Sequence, residues 1–248
     1  MDKFIGKWAF PLDDSLLEQS ARRGEVYDFA KIAEDIMDKV HFESEDVVLD
    51  LCCGNAALAK IISKNCKEIH GVDHSERLIK SAQKITADIS RLGSPPLGLP
   101  EVASEALEGV VQLHLSDAMN IDGLFKENFF DVSYCYFSFQ YFNKRKRELL
   151  LEKISRVTKQ NGSIFLGDIP EKTRRWNFYK SPLRFYKEKI SRMLQFKEGE
   201  CDLGWWIDPN EIAEWCDKRG LSASVLSQKA NMPHAHYRFD VLIRNSKS

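Results

Sequence analysis

Residues 47–60 read VVLDLCCGNAALAK, and the fold turns on how this stretch divides. With the preceding Asp46, DVVLDLCC (46–53) is a short apolar run, the pattern of a strand buried on both faces, and that strand ends at Asp50-Leu51. Cys52 to Ala56 is a turn. From Ala56 to about Lys64 the apolar residues recur at helical spacing. A strand that passes through a short turn directly into a helix is the first half of a βαβ unit.

Outward from there the alternation continues. EIHGVD (68–73) reads as a second strand, and Ser75 as the cap of a helix reaching about Ile89. VVQLHLSDA (110–118) and FFDVSYCYF (129–137) read as third and fourth strands. An amphipathic helix is expected over Asn143–Thr158, with Asn161-Gly162 as its left-handed ending, and SIFLGDI (163–169) as strand five. Upstream, residues 16–40 carry a helical pattern. Downstream, Asp208-Pro209-Asn210-Glu211 combines a cap, a proline at the first helical position and an acid, predicting a helix that stops at Gly220. SASVLSQ (222–228) and RFDVLIRN (238–245) close the chain as two further strands. Strand and helix alternating with short connections predict an α/β fold, a doubly wound, mostly parallel sheet with helices on both faces.

Composition agrees with one domain over residues 1–248. Hydrophobic residues are 43% and charged residues 29%, enough for a filled core and a solvated surface. No apolar run approaches the roughly 18 residues of a membrane span. MDKFIGKWAFPLDD has only a short apolar patch and early acids, unlike a secretory signal. Six cysteines show no CxxC and no metal-ligand spacing, so reduced thiols, a cytoplasmic location and no metal are expected. Two segments exceed the core plan besides an N-terminal helical cap, residues 1–45. Arg91–Gly109 reads as a surface loop, and 171–207 as a lid-like insertion. Net charge is −1, but residues 172–197 hold nine Lys/Arg and one acid, leaving 27 bases against 36 acids elsewhere.

In doubly wound sheets ligands sit at the carboxyl ends of the strands. A GxGxxG turn there cradles a pyrophosphate. This chain offers Cys52, Cys53, Gly54, Asn55 and Ala56 instead, and no Walker lysine. Asp50 at the end of strand one suits a positively charged head and would repel phosphate. Asp73 ends strand two, where an acid accepts from ribose hydroxyls. Asp117 ends strand three, in reach of an adenine amino group. Each acid alone also reads as a helix cap or turn residue. Three in register point to S-adenosylmethionine, an adenosyl ligand without phosphates.

Over about residues 20–244 the chain resembles the class I S-adenosylmethionine-dependent methyltransferases. VLDLCCGNA (48–56) resembles their first motif, in the double-cysteine form familiar from ubiquinone/menaquinone C-methyltransferases. GVDHSERLIKSA (71–82), LSDAMNI (115–121) and FDVSYCYFSFQYF (130–142) resemble the second, third and fourth. ISRVTKQNGSIFLGDI (154–169) is similar to the strand-five block. The resemblance implies a seven-stranded Rossmann-like sheet of order 3-2-1-4-5-7-6 with strand seven antiparallel. It also implies a cofactor site of Asp50, Cys52, Gly54, Asn55, Asp73, His74, Asp117, Ala118, Cys135 and Tyr136. Ala56 departs from the family's usual glycine.

The acceptor is expected over strands four and five and the loop between strands six and seven, beside Gln140, Tyr141, Tyr237 and Arg238. His236 or His234 is the candidate base, with Asp168 as rival; the bland reading of either histidine is a solvated loop residue. The basic insertion has four readings. It is a lid over a small anionic acceptor bound by Arg174 and Arg175, a solvated helix face, a membrane-surface helix with Leu183, Tyr186, Ile190, Met193 and Leu194 at helical spacing, or an RNA contact. GDIPEKTRR (167–175) resembles methyltransferases that accompany bacterial surface-polysaccharide synthesis, which implies a sugar-nucleotide or phosphorylated-sugar acceptor and O-methylation. RNA or lipid/quinone methylation, or a regulatory protein that binds S-adenosylmethionine without turnover, remain open at this point.

Overall fold

Strand β1, Val47–Leu51, is the third strand, beside the central one, of a seven-stranded sheet of order β3-β2-β1-β4-β5-β7-β6. The computed structural model describes residues 28–87, 109–195, 197, 199–201 and 203–244. The expected helix over 16–27 and the loop over 91–108 lie outside them. The other strands are β2 (Glu68–Asp73), β3 (Val110–Leu115), β4 (Phe130–Tyr136), β5 (Thr158–Pro170), β6 (Ser222–Ser227) and β7 (Arg238–Arg244). β1 to β5 pair in parallel, and β7 runs antiparallel to both β5 and β6.

Eight helices accompany the strands among the described residues: α1 (Phe29–Lys39), α2 (Ala57–Ile62), α3 (Glu76–Ala87), α4 (Ile121–Leu124), α5 (Lys144–Val157), α6 (Arg175–Tyr179), α7 (Pro182–Leu194) and α8 (Pro209–Asp217). The caps foreseen at Ser75 and Asp208 are made, the Ser75 hydroxyl accepting from Leu78 N and Asp208 from Asn210 N; Asn143 likewise caps α5 by accepting from Lys146 N. Because side chains alternate along a strand, the sheet has two cores. Val48, Ile69, Val132, Tyr134 and Phe165 pack with α1 and α2. Leu49, Leu51, Ile164, Leu166 and Val241 pack with α5 and α8.

The expected left-handed ending at Asn161-Gly162 is not found. α5 stops at Val157 with an extended Thr158, and β5 begins there. Thr158 pairs with Phe130, and the next partners are Val132 and Ser163, so residues 159–162 bulge out of the strand. Glycine is needed in the bulge for space rather than handedness: a Cβ on Gly162 would lie 2.6 Å from the Asp131 carbonyl oxygen.

The insertion carries a small core of its own. Tyr179, Phe185, Cys201 and Trp206 bury against Tyr237 from the base of β7. Both ends are pinned where β5 ends, Lys172 N donating to Ile207 O and Ile207 N to Pro170 O, each at 2.9 Å.

Candidate active site

The turn after β1 is built from unusual backbone. Cys52 (φ 62°), Gly54 (φ 58°) and Ala56 (φ 59°) are all left-handed. For cysteine and alanine this costs about 1–2 kcal/mol each. Phe137 after β4 (φ 67°) and Asp168 in β5 (φ 60°) share the conformation. Such positions gather where a site must be shaped. Here they mark the carboxyl ends of the three central strands. Ala56 thus occupies in strained form the position where its class of turn carries glycine.

Asp50 stands level with Gly71 on β2 and Tyr134 on β4, and is 3% exposed. Burial, with the charge of Asp73 adding to it, pushes its carboxyl up to about 7; the nearby Tyr134 hydroxyl pulls the other way. Asn55 is buried, its Oδ1 accepting from Ala57 N at 3.2 Å and its Nδ2 left without a partner. A buried acid with an unsatisfied amide donor in the same turn suits a ligand that carries both an ammonium and a carboxylate.

Asp73, at the end of β2, joins two turns. One carboxylate oxygen accepts from Gly54 N at 3.0 Å and the other from Ser75 N at 2.9 Å. Burial raises its pKa in spite of those bonds. Gly71 permits the close approach of Cys53, whose Sγ would lie 3.0 Å from a Cβ there. His74 is exposed, its Nδ1 3.6 Å from Asp73 Oδ1. Asp117 ends β3, is exposed, and caps the following turn by accepting from Met119 N at 2.9 Å; Ala118 is buried behind it. The three acids therefore follow one another along adjacent strand ends. Burial and neighbouring acids, with the Cys135 thiol first for Cys52, hold the Cys52 and Cys53 thiols un-ionised. All six cysteines are free.

Tyr136 turns elsewhere. Its ring covers Gly167, where a Cβ would lie 2.1 Å from Cδ2, and its hydroxyl is 3.4 Å from Gln228 Nε2. Gln140 is fully buried; its side-chain amide donates to the Phe137 carbonyl, and its backbone carbonyl accepts from Trp205 N, while Tyr141 beside it is half-buried. Asp168 and Arg238 form an ion pair of 2.6 Å with both side chains essentially buried, and Arg238 also donates to the Asp168 carbonyl.

This pair opens into a network that sequence reasoning missed. Asp168 N donates to Asp240 Oδ1 at 2.8 Å, Lys39 Nζ bridges Asp240 (2.7 Å) and Asp35 (2.5 Å), and Gln228 reaches both Asp168 and Asp240. The signals were present: Asp35 falls on the apolar face of α1 beside Ile32 and Ile36, and Asp240 interrupts an apolar strand.

The loop between β6 and β7 holds both histidines. His234 is buried, Nδ1 3.0 Å from the Tyr237 hydroxyl. His236 is exposed, its ring edge-on to Tyr237 at 4.8 Å, and its carbonyl accepts from Asn177 Nδ2 of α6 at 2.6 Å. Arg174 pairs with Glu171 at 2.9 Å, and Arg175 stacks over Trp176 and Phe185 at 4.7 and 4.9 Å. No cluster of three potential metal ligands occurs among the described residues.

Residues 49–166 match the family model described as a methyltransferase domain. An uncharacterized methyltransferase of Schizosaccharomyces pombe is 30% identical over 81 residues, 32% of this chain and 31% of that protein. The match thus spans about a third of that curated relative. Among solved structures, a SAM-dependent methyltransferase from Methanosarcina mazei superposes with a TM-score of 0.61 at 14% identity, covering 90% of this chain and all of that one. Magnesium protoporphyrin IX methyltransferase from Synechocystis, solved with bound SAH, gives 0.61 at 10% identity, covering 98% and 93%. At these identities the two structures share the fold.

Proposed function

We propose that this chain is a class I S-adenosylmethionine-dependent methyltransferase, a reading that the methyltransferase-domain match over residues 49–166 supports, and that it moves a methyl group from S-adenosylmethionine to an oxygen of a small anionic acceptor. The observation that carries the reading is the pair of buried carboxylates, Asp50 and Asp73, at neighbouring strand ends. In this reading Asp50 takes the ammonium of the methionine part, Asp73 the ribose hydroxyls and Asp117 the adenine amino group. Cys52, Gly54, Asn55, His74, Ala118 and Cys135 line the same edge, and Asn55 Nδ2 offers a donor to the methionine carboxylate. When bound, S-adenosylmethionine supplies an electrophilic methyl on a cationic sulfur. The chain's own task is to align the nucleophile with it and exclude water.

The raised carboxyl of Asp50 makes binding pH-dependent. An acid whose folded pKa lies above its unfolded value of 3.8 adds stability that is full below that value and lost as pH rises through about 7. A cation bound beside the ionised form offsets the loss, so binding releases a proton. Affinity for S-adenosylmethionine is expected to rise between about pH 6 and 8 and then level off. Calorimetry in buffers of different ionisation enthalpy reads the proton directly; a flat affinity with no proton released would remove Asp50 from the ammonium site.

For the acceptor we assign His236 as the base. It is the exposed imidazole at the β6–β7 loop, whereas His234 lies buried behind its bond to Tyr237. Asp168 and Arg238 hold each other, so in this reading they set the bend of β5 instead of meeting the acceptor. Gln140, Tyr141 and Tyr237 flank the acceptor space, with the insertion over it as a lid. Arg174 at the base of the insertion is half-exposed and can exchange Glu171 for a phosphate. Arg175 is committed to its aromatic neighbours. The insertion's charge, the short likeness to polysaccharide-associated methyltransferases and the reduced thiols support a phosphorylated or nucleotide-linked sugar and a cytoplasmic setting. No helix among the described residues is long and apolar enough to cross a membrane.

Transfer of labelled methyl to nucleotide-linked sugars, sugar phosphates, tRNA and quinone-bearing vesicles tests the acceptor. Transfer to the sugars is expected, with His236→Ala lowering kcat about 100-fold or more and leaving cofactor affinity unchanged. Transfer to tRNA alone, or binding without any transfer, would replace this reading.

A further inference from the structure

Helix α7 is turned inside out for a helix in water. Leu183, Tyr186, Ile190, Met193 and Leu194 are 79, 57, 54, 68 and 70% exposed, while Phe185 and Arg192 on the same helix are each 6% exposed. At the helical repeat the five exposed apolar residues fall on one stripe about 100° wide. Lys187 borders it on one edge, with Arg184 beyond, and Lys189 borders the other; all three are exposed. Phe185 and Arg192 lie on the opposite side. There Phe185 packs into the insertion's core with Tyr179, and Arg192 Nε donates to the Gly199 carbonyl.

We infer that α7 docks on an anionic lipid surface, its apolar stripe seated in the headgroup layer and its lysines and arginine meeting the lipid phosphates. An apolar centre with a basic rim is the pattern of a helix that lies in the interface plane. Thirteen residues reach only about 20 Å, so α7 lies along the surface. Charge decides the occupant. Two copies meeting stripe to stripe would bring their basic rims together. RNA is held by cations and stacked aromatics at the centre of a contact, where this stripe has one aromatic, Tyr186, among Leu183, Ile190, Met193 and Leu194. The chain outside residues 172–197, 27 bases against 36 acids, is repelled by the same surface and leaves the segment that carries α7 as the point of contact. The inference is independent of the acceptor's identity.

The test is cosedimentation of the full chain with vesicles. Binding is expected to equimolar phosphatidylglycerol and phosphatidylcholine, weaker at high salt, with far less to phosphatidylcholine alone. Leu183→Glu combined with Ile190→Glu should lower the partition coefficient at least about tenfold, and Lys187→Glu with Lys189→Glu should abolish the preference for anionic lipid. Both pairs are at the surface; unchanged far-UV dichroism and cofactor affinity verify that the fold survives. No partition by the natural chain, or partition unchanged in both variants, overturns the inference. A concentration-dependent dimer that the Leu183/Ile190 pair converts to monomer, without vesicle binding, assigns the stripe to a second copy and overturns it too.

Discussion

Asp73→Asn is expected to weaken S-adenosylmethionine binding at least tenfold, a cost of roughly 1.4 kcal/mol, and Asp73→Ala to cost more. In our reading Asp73 accepts from the ribose. It also holds Gly54 N and Ser75 N, one on each carboxylate oxygen. Asparagine keeps one acceptor oxygen and turns an amide NH2 toward the other backbone donor, so one of those bonds is lost. Alanine loses both. Hydrogen bonds to charged groups contribute about 1.5–3 kcal/mol each. Burial of the carboxylate already offsets part of that, as its raised pKa shows, so a net destabilisation of about 1–3 kcal/mol is expected for Asp73→Ala. Calorimetry gives the affinity and urea unfolding the stability. Undiminished affinity in a folded Asp73→Ala protein would take the ribose away from this residue; tight NAD binding would contradict the phosphate-free site as a whole.

Arg238→Met is expected to lower unfolding stability by about 3–5 kcal/mol, because removing one partner of a buried pair leaves a charge without compensation. Typical domains have only about 5–15 kcal/mol in total. Asp168 would be left in a left-handed backbone with its carboxylate buried and Asp240 bound to its N–H. Lys39 would be the remaining cation of the network, shared between Asp240 and Asp35. Asp168→Leu added to Arg238→Met should recover part of the loss, since the stranded charge goes with it. Urea midpoints at pH 8 decide this. A loss under about 1 kcal/mol at pH 8 would show that water reaches the pair and that it contributes little.

The helices and strands were legible because each is written in a local period. VVLDL is a short apolar run, and α8 announces itself by Asp208 and Pro209. The sheet order came from the family resemblance, and the pairings agree with it. Asn161-Gly162 was misread because the dipeptide is an equally good signal for a helix ending and for a bulge. Pairing of Thr158 with Phe130 chose the bulge. The residues at the strand ends were located correctly along the chain, but their surroundings were not legible. Tyr136 has its ring over Gly167 and its hydroxyl near Gln228, and Arg175 stacks on Trp176, packing that the sequence pattern did not announce.

What the sequence by itself determined is the order of the elements, the acids that end strands one to three, and the amphipathic period of the insertion. These depend on neighbours a few residues apart, at repeats of about 2 and 3.6. Tertiary structure alone decided which charges are buried and with whom. Arg238 meets Asp168 across 70 residues and Lys39 meets Asp240 across 201, separations that no local period records. It also decided which face of α7 points out. The period of that helix is satisfied equally by an apolar stripe turned in or out, and only the packing of Phe185 beneath it selects the second.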